Sequence, residues 1–201
     1  MSKTKLLYEL FKTEFEWIAS LTMGLLNYED YKIKFCQSYD AVIIESEELL
    51  ISIIVSPNQY NPQVLLSENG FIIQLHEGTI FSKSNFIFQF GHEIIHALFG
   101  ECNRKNTLSI EEGFAVWNSL QMLEILSGKD ERLKYEQDFL KRNDTDTEYK
   151  KYYNYFCEFI ESPVNKIRFF QNLQFNSSSN FHLSDFNIPE DLKNRLRILV
   201  Y

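Results

Sequence analysis

His92, Glu93 and His96, in the stretch GHEIIHALFG from Gly91 to Gly100, are the residues whose types and spacing could do chemistry. On a helix, residues four apart sit one turn apart on one face, so His92 and His96 can bring two ring nitrogens to one metal ion. Glu93 is rotated by about 100° from His92 and is too close in sequence to share the site as a ligand. It is placed to touch a water bound to the metal, as the general base of a metal-assisted hydrolysis must be. Zinc is the ion expected. A catalytic zinc site takes three protein ligands and leaves the fourth position to water. The stretch SIEEGFAVW, Ser109 to Trp117, offers the third ligand, since Glu111 and Glu112 fall in the first turn of a following helix.

Glu112 also has a plainer reading. Ser109-x-x-Glu112 is a capping box, in which the carboxylate would bond back to the Ser109 backbone. Gly113 argues for the ligand. A glycine within a helix costs roughly 0.5–1 kcal/mol relative to alanine, so its presence implies a close neighbour. The neighbour expected is the helix that carries His92 and His96.

Periodicity supplies the elements that must position these groups. Leu6, Leu7, Leu10, Phe11, Phe15, Ile18, Leu21 and Leu25 recur at helical spacing, which predicts one amphipathic helix over residues 4–26. AVIIE, LLISIIV, QVLLS and GFIIQLH are short, rich in Ile and Val, and bounded by turn residues, so they read as strands. A helix over 85–99 follows, with Ser84 as its cap and Gly100 as its stop. Its core stripe is Ile87, Phe90, Ile94 and Leu98, while Phe88, Ile95 and Phe99 make the surroundings of the histidines apolar. Further helices are predicted over 110–127 (ended by Gly128), 131–141, 148–161 and 164–173. A last one starts at Pro189 and carries Leu192, Leu196 and Leu199. The expected fold is α+β: an N-terminal helix, a small and mostly antiparallel sheet, the HExxH helix, then a helical half. The 201 residues read as one domain, with residues 1–100 and 101–201 as its two parts.

Composition limits the partners. With 28 Asp and Glu against 20 Lys and Arg, the net charge of −8 argues against nucleic acid. Cys36, Cys102 and Cys157 are odd in number, widely spaced and without a CxxC pair, a pattern of free thiols in a reducing compartment. The opening MSKTKLLYELFKTEFEWIASL has no apolar core of a signal peptide, and LLISIIV is too short to span a bilayer. A cytoplasmic protein without a membrane partner is expected.

HExxH followed by a glutamate on the next helix resembles the gluzincin metallopeptidases. EEGFAVW resembles the N-E-G-F-A-x-Y segment of the aminopeptidases among them, over about Phe71 to Ser127. Glu111 stands where that group has Asn, Val116 stands where it has a carboxylate, and no G-x-M-E-N segment occurs. The resemblance implies a zincin-like fold, His92, His96 and Glu112 as zinc ligands, and Glu93 as general base. It also implies a peptide or protein as substrate. FIIQLHEGTIFSKSNFIFQFGHEIIH, a strand leading into the HExxH helix, is also similar to the ImmA/IrrE-type metallopeptidases, which cleave or regulate repressor proteins. Two readings stay open: a zinc-dependent peptidase, or a zincin-like domain that binds or regulates a partner with little turnover. A second electrophile for the oxyanion could come from the tyrosines of YKKYYNYF (Tyr149 to Phe156) or from His182, although aromatics at helical spacing more often pack a core. His76 reads as a structural or surface histidine near the cleft.

Overall fold

The computed structural model describes residues 1–25, 30–47, 49–56, 62–99, 107–141, 147–175, 186, 188–197 and 199–200. The fold is α+β, and the chain divides into two compact units, Met1–Ala97 and Leu98–Tyr201.

The first unit contains α1 (Lys3–Leu10), α2 (Lys12–Leu25), strands β1 (Lys32–Cys36), β2 (Ala41–Glu45), β3 (Leu50–Ser56), β4 (Gln63–Ser67) and β5 (Gly70–His76), a 3₁₀ turn (Glu77–Phe81) and α3 (Lys83–Leu98). The strands form one mixed sheet in the order β1-β2-β3-β5-β4. Only the β3–β5 pair is parallel, and its register sets Ile51 opposite Phe71 and Ile53 opposite Ile73. β5 alternates along its second half: Ile73 and Leu75 are fully buried, while Phe71, Ile72, Gln74 and His76 are partly exposed.

Two differences from expectation change the element order of the first unit. The single helix over 4–26 is broken at Phe11, whose φ of −126° and ψ of 31° leave the helical region. Tertiary contacts account for the break. The Thr4 hydroxyl accepts from the N–H of Val55, which lies beyond the stretch of β3 paired with β2. Phe11 meanwhile stacks on Phe86 of α3, with ring centroids 5.1 Å apart. Phe15 of α2 packs on Phe86 and Phe90, and Lys83 pairs with Glu14, so α2 follows α3 while α1 follows the sheet. The second difference is β1, which was not anticipated. It alternates exposed Lys32 and Lys34 with half-buried Ile33 and Phe35, a weak signal beside the apolar runs that follow.

The 3₁₀ turn and the cap of α3 fix where the HExxH helix begins. His76 Nδ1 accepts from the Gly78 N–H at 3.0 Å, so this histidine closes a turn, in keeping with a structural role. The helix cap is Ser82 in place of the expected Ser84: its hydroxyl accepts from the Asn85 N–H at 3.2 Å.

The second unit contains β6 (Thr107–Leu108), α4 (Ser109–Ser127), α5 (Lys129–Lys141), α6 (Thr147–Ile160), α7 (Pro163–Phe175), α8 (Glu190–Leu196) and β7 (Leu199–Val200). α4 is buried on nearly every face, as its apolar composition all round requires. Phe114 and Trp117 enter a cluster of rings with Phe156, Phe169 and Phe170. Gly128, at a φ of 91°, ends α4 as expected. Leu199 does not extend α8. It lies in β7, paired with Leu108 of β6.

Gly113 is packed closely, but against α6. A β-carbon at this position would lie 2.3 Å from the Tyr152 carbonyl oxygen and 2.6 Å from the Phe156 Cβ. Gly113→Ala would gain about 1 kcal/mol of helix propensity. It would also press α4 off the Tyr152 backbone and the Phe156 Cβ, neither of which can swing aside, an overpacking worth about 1–3 kcal/mol. A net loss of up to about 2 kcal/mol, or up to roughly 4–8 °C in Tm, is expected by calorimetry. A raised Tm would mean that α4 and α6 do not approach this closely.

Candidate metal centre

α3 presents the two histidines from consecutive turns. Their Nε2 atoms lie 3.1 Å apart, and the rings meet edge-on with centroids 4.8 Å apart. Without an ion, that contact is one imidazole N–H donating to the other ring. The same separation suits a shared ion, because two nitrogens at 2.0–2.1 Å from a tetrahedral zinc stand about 3.3–3.4 Å apart. His92 is 9% exposed, and the ring of Phe88 lies near-parallel to its own at 6.3 Å. Ile95 and Phe99, also expected near the histidines, are buried as well. Of the expected core stripe, Ile87, Phe90 and Ile94 are fully buried, while Leu98 is partly exposed.

Glu112, the expected third ligand, stands in the first turn of α4. His92, His96 and Glu112 each offer one ligand atom, and these atoms all lie within 4.8 Å of one another. The group could hold a metal ion. Two imidazole nitrogens and one carboxylate oxygen are donors of the kinds that zinc takes. Glu111, the neighbouring candidate, is outside the group although it is more buried than Glu112, at 1% against 7%. Glu93 is buried on α3, at 6% exposure.

Ser109, the other half of the capping-box reading, also bonds outside its own turn. α4 begins at Ser109 itself, and the Ser109 hydroxyl donates to the Arg195 carbonyl at 2.8 Å. Its hydrogen is committed to α8, a partner 86 residues away that no local pattern indicates.

The tyrosines of α6 separate by their partners. Tyr153 donates to Glu136 at 2.8 Å, and the Tyr155 ring lies under the Arg195 guanidinium. Tyr152 is the one that senses Glu112. Burial above all, then the charge and hydrogen bonding of Glu148, hold its phenol above the ordinary range, and the Glu112 carboxylate adds to the shift. His182 and Cys102 lie outside the described residues. Cys36 and Cys157 are free thiols, and neither belongs to the group of possible ligands. The Ser38 hydroxyl, first among its neighbours, holds the Cys36 thiol below the usual range, whereas burial pushes that of Cys157 up.

Among the described residues, no helix is long and apolar enough to cross a membrane. Comparison with models of protein families finds no match, and comparisons with curated proteins and with solved structures likewise find none.

Proposed function

We propose that this chain is a zinc-dependent metallopeptidase of the HExxH…E type, with a zincin-like fold. The observation that carries the reading is the approach of His92, His96 and Glu112 within 4.8 Å of one another, beside a buried Glu93. Imidazole-rich donor sets suit zinc, while magnesium and calcium take all-oxygen sets. Three protein ligands, with one position open, are the pattern of a catalytic site.

When bound, zinc supplies Lewis acidity, which polarises a carbonyl and makes water a nucleophile near neutral pH. His92, His96 and Glu112 would hold it. Glu93 accepts a proton from the attacking water as the new C–O bond forms. It then delivers that proton to the departing amine nitrogen as the peptide C–N bond breaks. Water is consumed, one carboxyl and one amine result, and Glu93 ends as it began. Phe88, Ile95 and Phe99 keep the surroundings apolar, which strengthens each electrostatic interaction there.

Protein purified without chelator should carry about one zinc per chain, measured by elemental analysis, and should cleave an unfolded protein or members of a peptide library. A metal-free preparation that takes up no added zinc would sink the proposal. Zinc uptake without cleavage of any such substrate would replace it with a protein-binding domain that keeps the metal for structure.

A further inference from the structure

The first turn of α4 is held on both sides by residues of the second unit. Ser109 is fully buried, and its hydroxyl donates to the Arg195 carbonyl in the last turn of α8. Carbonyls at that end of a helix have no partner within the helix, so the bond satisfies both groups. Just before Ser109, Thr107 and Leu108 pair with Val200 and Leu199, the strand that follows α8. One residue past Glu112, Gly113 rests on the Tyr152 carbonyl of α6. Residues 107–113 are therefore fixed at three points, and Glu112 stands among them. A serine at a helix start ordinarily caps its own helix. Here it joins that turn to the segment 190–200.

A glutamate has three rotatable bonds, and a ligand must be held within about 0.5 Å of its working position. We propose that Ser109, together with the α8–β7 segment, positions the Glu112 carboxylate, so that metal affinity is tuned from residues distant in sequence. This inference rests on the metal-site reading above. Ser109 would touch neither metal nor substrate and would act only through the backbone that carries Glu112.

A double-mutant cycle in zinc affinity tests it, with thermal stability followed in parallel. Ser109→Ala should weaken zinc binding about tenfold, the lower end of what outer-shell partners contribute. In a Glu112→Ala background the same change should cost nothing further, because the group it positions is gone. A purely structural role would give equal losses in both backgrounds and would overturn the proposal, as would parent-like affinity in Ser109→Ala. The double variant Leu199→Pro, Val200→Pro removes both N–H donors of β7 and leaves Ser109 intact. It should reproduce the tenfold loss, and it carries the test if Ser109→Ala does not fold. A parent protein that binds no zinc ends the metal reading itself. A parent that binds zinc with no coupling between Ser109 and Glu112 ends only this inference.

Discussion

Glu93→Gln is expected to lower peptide hydrolysis by at least about 10²-fold, and by up to about 10⁴-fold, while zinc content and Tm stay close to those of the parent. Glutamine keeps the size and hydrogen-bonding reach of the side chain and loses its basicity. Glu93 is buried at 6% exposure, and it lies outside the His92, His96 and Glu112 group. Its proposed work is proton transfer, with no share in holding the ion. His92→Ala is the necessary comparison, because it removes a donor and should lose zinc, activity and some stability together. Metal analysis, turnover and calorimetry on both variants distinguish the roles. A Glu93→Gln protein that sheds its zinc would make Glu93 a structural group, and one with full activity would remove it as the base.

Glu112→Ala should cost zinc affinity more than the roughly 10- to 100-fold typical of outer-shell changes, because a direct donor is lost. Glu111→Ala should bind zinc as the parent does. The contrast is informative because Glu111 is the more buried of the two, at 1% exposure, and its replacement by alanine leaves a gap in a packed helix. That variant is therefore expected to lose stability without losing affinity. Competition titration against a chelating dye, read beside thermal melts, separates the two effects. If Glu111→Ala releases the metal and Glu112→Ala retains it, the ligand register is wrong by one residue.

The parts of this protein legible from sequence are those decided within a turn or two of chain. A four-residue spacing on a helix must put His92 and His96 on one face, and their Nε2 atoms do meet at 3.1 Å. AVIIE, QVLLS and GFIIQLH are strands over the residues expected, and Gly128 stops α4, because period and left-handed backbone are local properties. Placing Glu112 in a first helical turn rested on the same kind of signal.

What tertiary structure alone decided concerns which surfaces meet. The 4–26 pattern is continuous, yet the chain breaks at Phe11 because Thr4 is tied to β3 while Phe11 stacks on α3. Gly113 did signal a close neighbour, and the neighbour is α6. Nothing within reach of Gly113 in the chain specifies a carbonyl 39 residues later, at Tyr152. Leu199 fits helical spacing with Leu192 and Leu196, but pairing with Leu108 makes it a strand. Ser109 reads locally as half of a capping box, and its hydroxyl hydrogen goes to the Arg195 carbonyl, a partner the local pattern does not indicate. In each case a side chain or backbone group had a satisfactory local partner available. The partner it took was set by burial, where an unsatisfied carbonyl or an unfilled gap costs more than a local preference is worth.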